Sequence, residues 1–154
     1  MLVSEILRIK GSTLFAATPD MSVSEAVHSM ASQDIGSLVV MEKGKLVGML
    51  TFREQIKVLD ERGNELKALA VSEIMERDPL TADPKMDVQM LRKNMLERHA
   101  RYIPVMEGNT LMGVVSFHDV AKAVFEEQSF ENRMLKSYIK NWPDEEETTA
   151  QPLN

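Results

Sequence analysis

The sequence predicts an α/β fold of the α+β sandwich type: two pseudo-symmetric β-α-β-β-α units packed sheet to sheet, followed by a long C-terminal helix. Three observations predict it. Val3-Ser4-Glu5-Ile6 returns as Val71-Ser72-Glu73-Ile74, an offset of 68. Pro19 returns as Pro84, Gly48 as Gly113, and Thr51-Phe52 as Ser116-Phe117, each at an offset of 65. Between these landmarks both copies run through the same succession of helical and alternating patterns. Self-similarity at a fixed period marks a duplicated supersecondary unit. The three-residue difference puts the longer connection of the first copy before its proline. Two like units leave clefts between them, and a cleft between packed units suits a small ligand.

In the first copy a short helix is expected over Val3–Ile9, then an apolar stretch at Leu14–Ala17 and a turn at Thr18-Pro19-Asp20. Ser22-x-x-Glu25 forms a capping-box pattern, and Val23, Ala26, Val27 and Met30 follow at helical spacing. Strands at Ser37–Met41 and Leu46–Thr51 flank the polar turn Glu42-Lys43-Gly44-Lys45 and read as a hairpin. A helix over Phe52–Glu61 closes the unit, and Arg62-Gly63-Asn64 breaks it.

The second copy opens with a helix over Val71–Arg77 and a short strand at Leu80–Ala82. A helix near Asp87–His99 puts Val88, Leu91 and Met95 on one face. Strands Tyr102–Met106 and Leu111–Ser116 flank Glu107-Gly108-Asn109-Thr110. The last helix is expected over Phe117–Asn141, long enough to pack on a partner subunit or on the opening helix of the chain. Trp142 is expected at its end or in a dimer contact. The organisation is thus repeat one at 1–64, repeat two at 65–127, a helical extension at 128–142 and an acidic, disordered tail at 143–154. A sheet of this size needs its twin, so the halves are expected to fold as one unit.

The chain of 154 residues is 44% hydrophobic but only 5% aromatic, so aliphatic side chains and 12 methionines must fill the core. It has no cysteine, which excludes disulfides, thiolate nucleophiles and cysteine-ligated metals. His28, His99 and His118 lack the spacing of a metal site. His99 beside Arg101 reads as a helix C-terminal charge. The net charge is −6, but Asp144 to Glu147 supply four of the acids, so residues 1–140 carry 18 − 20 = −2. No dense basic stripe is present to track a phosphate backbone, which disfavours nucleic acid. No apolar run reaches the roughly 18 residues of a membrane span, and Met1–Lys10 lacks a signal-peptide layout. A cytoplasmic location is expected.

The sharpest local pattern lies where each second hairpin strand meets the closing helix. One copy reads Gly48-Met49-Leu50-Thr51-Phe52-Arg53-Glu54 and the other Gly113-Val114-Val115-Ser116-Phe117-His118-Asp119. A hydroxyl residue followed three positions later by an acid is a plain helix cap. It is also an anion seat: unpaired N–H groups and the helix dipole favour phosphate, and a carboxylate there accepts from a ribose diol as in dinucleotide folds. One helix start can serve both uses.

These duplicated features, with Arg101-Tyr102-Ile103-Pro104-Val105 in the second copy, resemble a tandem of cystathionine-β-synthase (CBS) domains, a Bateman module, over about residues 3–127. The segment Glu131 to Ile139 resembles a C-terminal helix of small stand-alone bacterial members. The resemblance implies adenine-nucleotide binding (AMP, ADP, ATP or NAD/NADH) in clefts that draw on both copies. One cleft would use Val114, Ser116, His118, Asp119 and Arg101, with backbone from Ser12, Thr13, Leu14, Ile35, Gly36 and Ser37. There Asp119 would bind the ribose, Ser116 the phosphate or sugar, and Arg101 and His118 would face the phosphates. The pseudo-symmetric cleft, the weaker of the two because Glu54 replaces the family's aspartate, would use Thr51, Arg53 and Glu54 with Pro79, Leu80, Ala100 and Tyr102.

The resemblance therefore implies a non-catalytic regulatory module, commonly a homodimer, whose ligand state is read by an effector protein. An enzyme is the less favoured alternative, because the chain lacks a phosphate-binding Gly-x-x-x-x-Gly-Lys-Ser/Thr loop, a nucleophile elbow and a metal cluster. A dimerisation or docking module with vestigial clefts is the other alternative. The fold is used more widely than the ligand.

Overall fold

The computed structural model describes residues 1–11, 13–63 and 65–141. Ser12, Asn64, Trp142 and the expected acidic tail at 143–154 lie outside the described residues. Repeat one contains α1 (Val3–Lys10), β1 (Ala16–Ala17), α2 (Val23–Gln33), β2 (Ser37–Glu42), β3 (Lys45–Thr51) and α3 (Phe52–Arg62). Repeat two contains α4 (Val71–Ile74), α5 (Val88–Arg98), β4 (Tyr102–Glu107), β5 (Thr110–Ser116) and α6 (Phe117–Lys140).

The duplication read in the sequence reappears in the register. β2 pairs antiparallel with β3 from Ser37↔Thr51 to Glu42↔Lys45. β4 pairs with β5 from Tyr102↔Ser116 to Glu107↔Thr110, every partner displaced by 65. Both hairpins carry an irregularity at the same place, Val40/Met41 and Val105/Met106. β1 adds a parallel third strand to the first sheet through Ala16↔Val39 and Ala17↔Val40. Its counterpart, expected at Leu80–Ala82, is reduced to one parallel bridge, Ala82↔Val105. The two sheets meet through β3 and β5.

The opening helices are exchanged between the repeats. Val3 N–H donates to Met86 O at 2.9 Å and Ser4 N–H to Pro84 O at 2.9 Å, so α1 docks on the second repeat. Val71 N–H donates to Met21 O at 2.8 Å and Ser72 N–H to Pro19 O at 2.9 Å, so α4 docks on the first. This explains why Val-Ser-Glu-Ile and the proline are both duplicated. The valine of each copy is fully buried in the other repeat's core. The glutamate folds back on its own helix start, Glu5 accepting from Leu2 N–H at 2.5 Å and Glu73 from Ala70 N–H at 2.7 Å.

Gly48 and Gly113 mark where the exchanged helices cross the sheets. A Cβ at Gly113 would come within 2.9 Å of Leu7 Cδ2, and one at Gly48 within 2.6 Å of Met75 Sδ and 2.9 Å of the Glu76 carbonyl oxygen. Leu7 and Met75 are themselves 68 apart.

The expected helix Val71–Arg77 stops at Ile74. Met75 turns extended, and Glu76 exchanges two backbone hydrogen bonds with Met49, at 2.9 and 2.8 Å. α1 runs on to Lys10 instead and ends at Gly11, whose φ of 93° suits only glycine.

The core has two main clusters, one per sheet. Val3, Ile6, Val88, Leu91, Met95, Ile103, Val115, Val120 and Val124 belong to one. Ala26, Met30, Leu38, Val40, Leu50 and Val71 belong to the other. Met30, Met49, Met75 and Met95 are buried fillers, as their number in an aromatic-poor chain requires. The first half of α6 packs on α1 and α5, one of the two partners expected for it, whereas residues 131–140 are exposed.

Candidate functional site

Both strand-helix junctions are built as the sequence suggests. In β3–α3, Thr51 Oγ1 accepts from Arg53 N–H at 3.2 Å, and Glu54 Oε2 accepts from Thr51 N–H at 2.9 Å. The longer glutamate also curls far enough to take a short hydrogen bond from the Thr51 hydroxyl. In β5–α6, Ser116 Oγ accepts from Asp119 N–H at 3.1 Å and Asp119 Oδ2 from Ser116 N–H at 2.8 Å. Each arrangement satisfies helix-start donors that would otherwise lack partners.

The two clefts differ sharply. The cleft at Thr51 and Glu54 opens into a cavity of about 850 Å³ between the repeats. All seven residues assigned to it from the sequence (Thr51, Arg53, Glu54, Pro79, Leu80, Ala100 and Tyr102) line it. Lys57, Arg98, Phe52 and Phe117 also line it and were not foreseen there. The cleft at Ser116 encloses about 200 Å³ and is lined by Thr13, Leu14, Ile35, Gly36, Ser37, Val114 and Ser116, together with Lys10, Phe15, Val39 and Tyr102.

Arg101 is not where the sequence reading put it. Its guanidinium lies 5.2 Å from the centroid of the Phe52 ring and lines the larger cavity, not the cleft of Ser116. There the face of the Phe52 ring attracts the cation. Phe52 also meets Tyr102 edge-on at 6.2 Å between centroids. His118 lines neither cavity. His99 occupies the left-handed C-cap of α5, with φ 52°, as its pseudo-equivalent Asp34 does for α2.

Asp119 lines neither cavity and is engaged by Lys10, which lines the smaller one. Its Nζ donates to Asp119 Oδ2 at 2.7 Å and to Val114 O at 2.9 Å. Burial pushes the Asp119 carboxyl up, but the Lys10 hydrogen bond and charge and the bonds from Ser116 outweigh it and hold it below the ordinary aspartate value. In the larger cleft, burial and the nearby Glu54 charge raise Glu76, against the opposing pull of Arg53 and Lys57. No motif in the sequence singles out Lys10, whose partner Asp119 lies 109 residues away.

The family model of the CBS domain matches this chain twice, over residues 3–60 and 71–126. The chain belongs to the CBS-domain family. Its two repeats are a CBS pair. A CBS domain-containing protein of Arabidopsis thaliana, CBSX3, mitochondrial, is 32% identical over 148 residues, spanning 90% of this chain and 71% of that protein. The crystal structure of the CBS-domain protein ATU1752 from Agrobacterium tumefaciens has a TM-score of 0.76 at 28% identity, covering 80% of this chain and 98% of its own. The CBS pair of protein MJ0100, solved with 5-methylthioadenosine and S-adenosyl-L-methionine, has a TM-score of 0.71 at 25% identity, covering 82% and 98%.

This CBS pair thus presents one roomy and one small cleft. Among the described residues no helix is long and apolar enough to cross a membrane, and no three His, Asp or Glu side chains converge as a metal would require.

Proposed function

We propose that this chain is a non-catalytic regulatory module that binds an adenosine compound in the cleft of Thr51 and Glu54 and passes its ligand state to an effector protein, working as a homodimer. The observation that carries the reading is the cavity of about 850 Å³ between the repeats, which falls in the size range of small-molecule sites. One wall is the N-terminus of α3, where backbone donors and the helix dipole favour an anion. Arg53, Lys57, Arg98 and Arg101 line the same space and supply positive charge for phosphates. Phe52, Phe117 and Leu80 provide apolar surface for a base, and Glu54 an acceptor for a ribose diol. The adenosine ligands bound by the CBS pair of MJ0100 support the ligand class.

A ligand biases two states of such a module only by its differential affinity for them. The two repeats are fastened by exchanged helices, so a ligand wedged between them acts on the docking of α4 and on the packing of α6.

The test is thermal unfolding with AMP, ADP, ATP, NAD, NADH and S-adenosylmethionine, after removal of any co-purified ligand. A compound at 100 times its Kd stabilises by about 2.7 kcal/mol, which for a chain of this size raises Tm by about 5–10 °C. A cooperative transition that none of the six compounds moves at saturation would leave a docking module with vestigial clefts as the reading.

A further inference from the structure

The duplicated sequence invites the expectation of two equivalent sites, and the structure separates them at one residue. We propose that Lys10 is an internal ligand of the Ser116/Asp119 cleft, holding it shut, so that this chain carries one open adenosine site instead of two. The proposal rests on the reading of the larger cleft as the ligand site.

Four observations carry it. Lys10 Nζ sits 2.7 Å from Asp119 Oδ2 and 2.9 Å from Val114 O, bridging 109 and 104 residues of chain. Those are the carboxylate and the strand-end carbonyl that a ribose or base would need. The remaining space, about 200 Å³, lies below the range of small-molecule pockets.

Lys10 is also held in place. It is the last residue of α1, whose Val3 and Ile6 are buried in the second repeat and whose Leu7 lies against Gly113. The lysine therefore reaches Asp119 from a fixed base, and the carboxylate it meets is only 19% exposed.

The other cleft supplies the internal control. Its residue equivalent to Asp119 is Glu54, and the residue that precedes Pro79 is Asp78, both lining the larger cavity. Two like charges cannot close across the opening as Lys10 and Asp119 do. The chain path differs as well: α4 ends at Ile74, Glu76 pairs with Met49, and the chain bends at Asp78, whose φ is 49°. A cation thus meets the acid of the small cleft, whereas an acid joins Glu54 in lining the large one.

Isothermal titration of the full chain with AMP, ATP and S-adenosylmethionine tests this, comparing wild type with Lys10→Met and Lys10→Arg. Wild type and Lys10→Arg, which keeps the cation, are expected to bind one ligand per chain. Lys10→Met is expected to bind two, the added site disappearing again in Lys10→Met/Asp119→Ala. Circular dichroism and a cooperative melt establish that each variant is folded.

Two sites in wild type, or one in folded Lys10→Met, overturns the proposal. So does loss of binding in Lys10→Met, because Lys10 would then contact the ligand. Binding by Lys10→Met alone, with none in wild type, keeps the role of Lys10 and removes the reading of the larger cleft. No binding by either protein removes both.

Discussion

Tyr102 of the second repeat lies directly against the bare backbone of Gly36 in the first. A Cβ at Gly36 would overlap the Tyr102 hydroxyl oxygen and come within 2.7 Å of its Cζ. The same tyrosine lines both cavities and packs edge-on to Phe52. Gly36 is therefore needed for space, since no positive φ is involved at this position. Gly36→Ala is expected to destabilise by about 1–3 kcal/mol, the usual cost of overpacking, and to drive the ring into one of the cavities. Urea denaturation gives the first effect. Weaker ligand binding in the variant gives the second.

The duplicated glycines are expected to be unequal. At Gly113 an added methyl meets only the tip of Leu7, which can rotate. At Gly48 it meets the Glu76 carbonyl oxygen in a paired segment, and backbone cannot give way so easily. Gly48→Ala should cost about 2–3 kcal/mol and Gly113→Ala about 1 kcal/mol or less. Equal losses in denaturant midpoint would mean that the exchanged helices dock with equal slack.

Asp119 gives the acid side of the stability profile. Its folded pKa is depressed, so its contribution is complete above the unfolded value and is lost as pH falls through the folded one. In Lys10→Met the carboxyl moves up toward its unfolded value, so that the acid-side loss is smaller. At neutral pH the variant should be about 0.5–1 kcal/mol less stable, the scale of a partly exposed pair. Urea titrations between acid and neutral pH check both statements, and superimposable profiles would contradict them.

Glu76 has the opposite sign. Its folded pKa is raised, so the folded state holds its proton longer and stability falls as pH rises through that range. Glu76→Gln should therefore stabilise the protein at neutral pH by about 0.3–0.5 kcal/mol and have no effect in acid. Removing this charge should also tighten an anionic nucleotide in the larger cleft. A destabilised variant at neutral pH would show that Glu76 is held by the neighbouring cations instead.

The sheet hairpins and the paired helix caps were legible because each rests on local spacing repeated at 65; the seven residues that line the larger cavity were named from the family resemblance. The exchange of α1 and α4 was not, since an amphipathic turn looks the same whichever repeat receives it. Lys10 at the end of a helix reads as a solvated charge until its distant partner is known. Arg101 was placed in the wrong cleft because its neighbour in sequence says nothing of Phe52, 49 residues earlier, whose ring it covers. Which cleft is open depends on side-chain volume and charge across the fold, and no single motif encodes that. The early end of α4 likewise follows from the bridge between Glu76 and Met49, a contact between repeats.

The central claim is that an adenosine compound binds between the repeats at Thr51 and Glu54. Hydrogen exchange followed by mass spectrometry, with and without the compound that raises Tm most, tests it most directly. The account predicts protection at residues 51–57, 79–81 and 98–102, with 13–15 and 116–119 unchanged. Protection confined to 13–15 and 116–119 would place the ligand in the cleft that Lys10 fills and contradict the account.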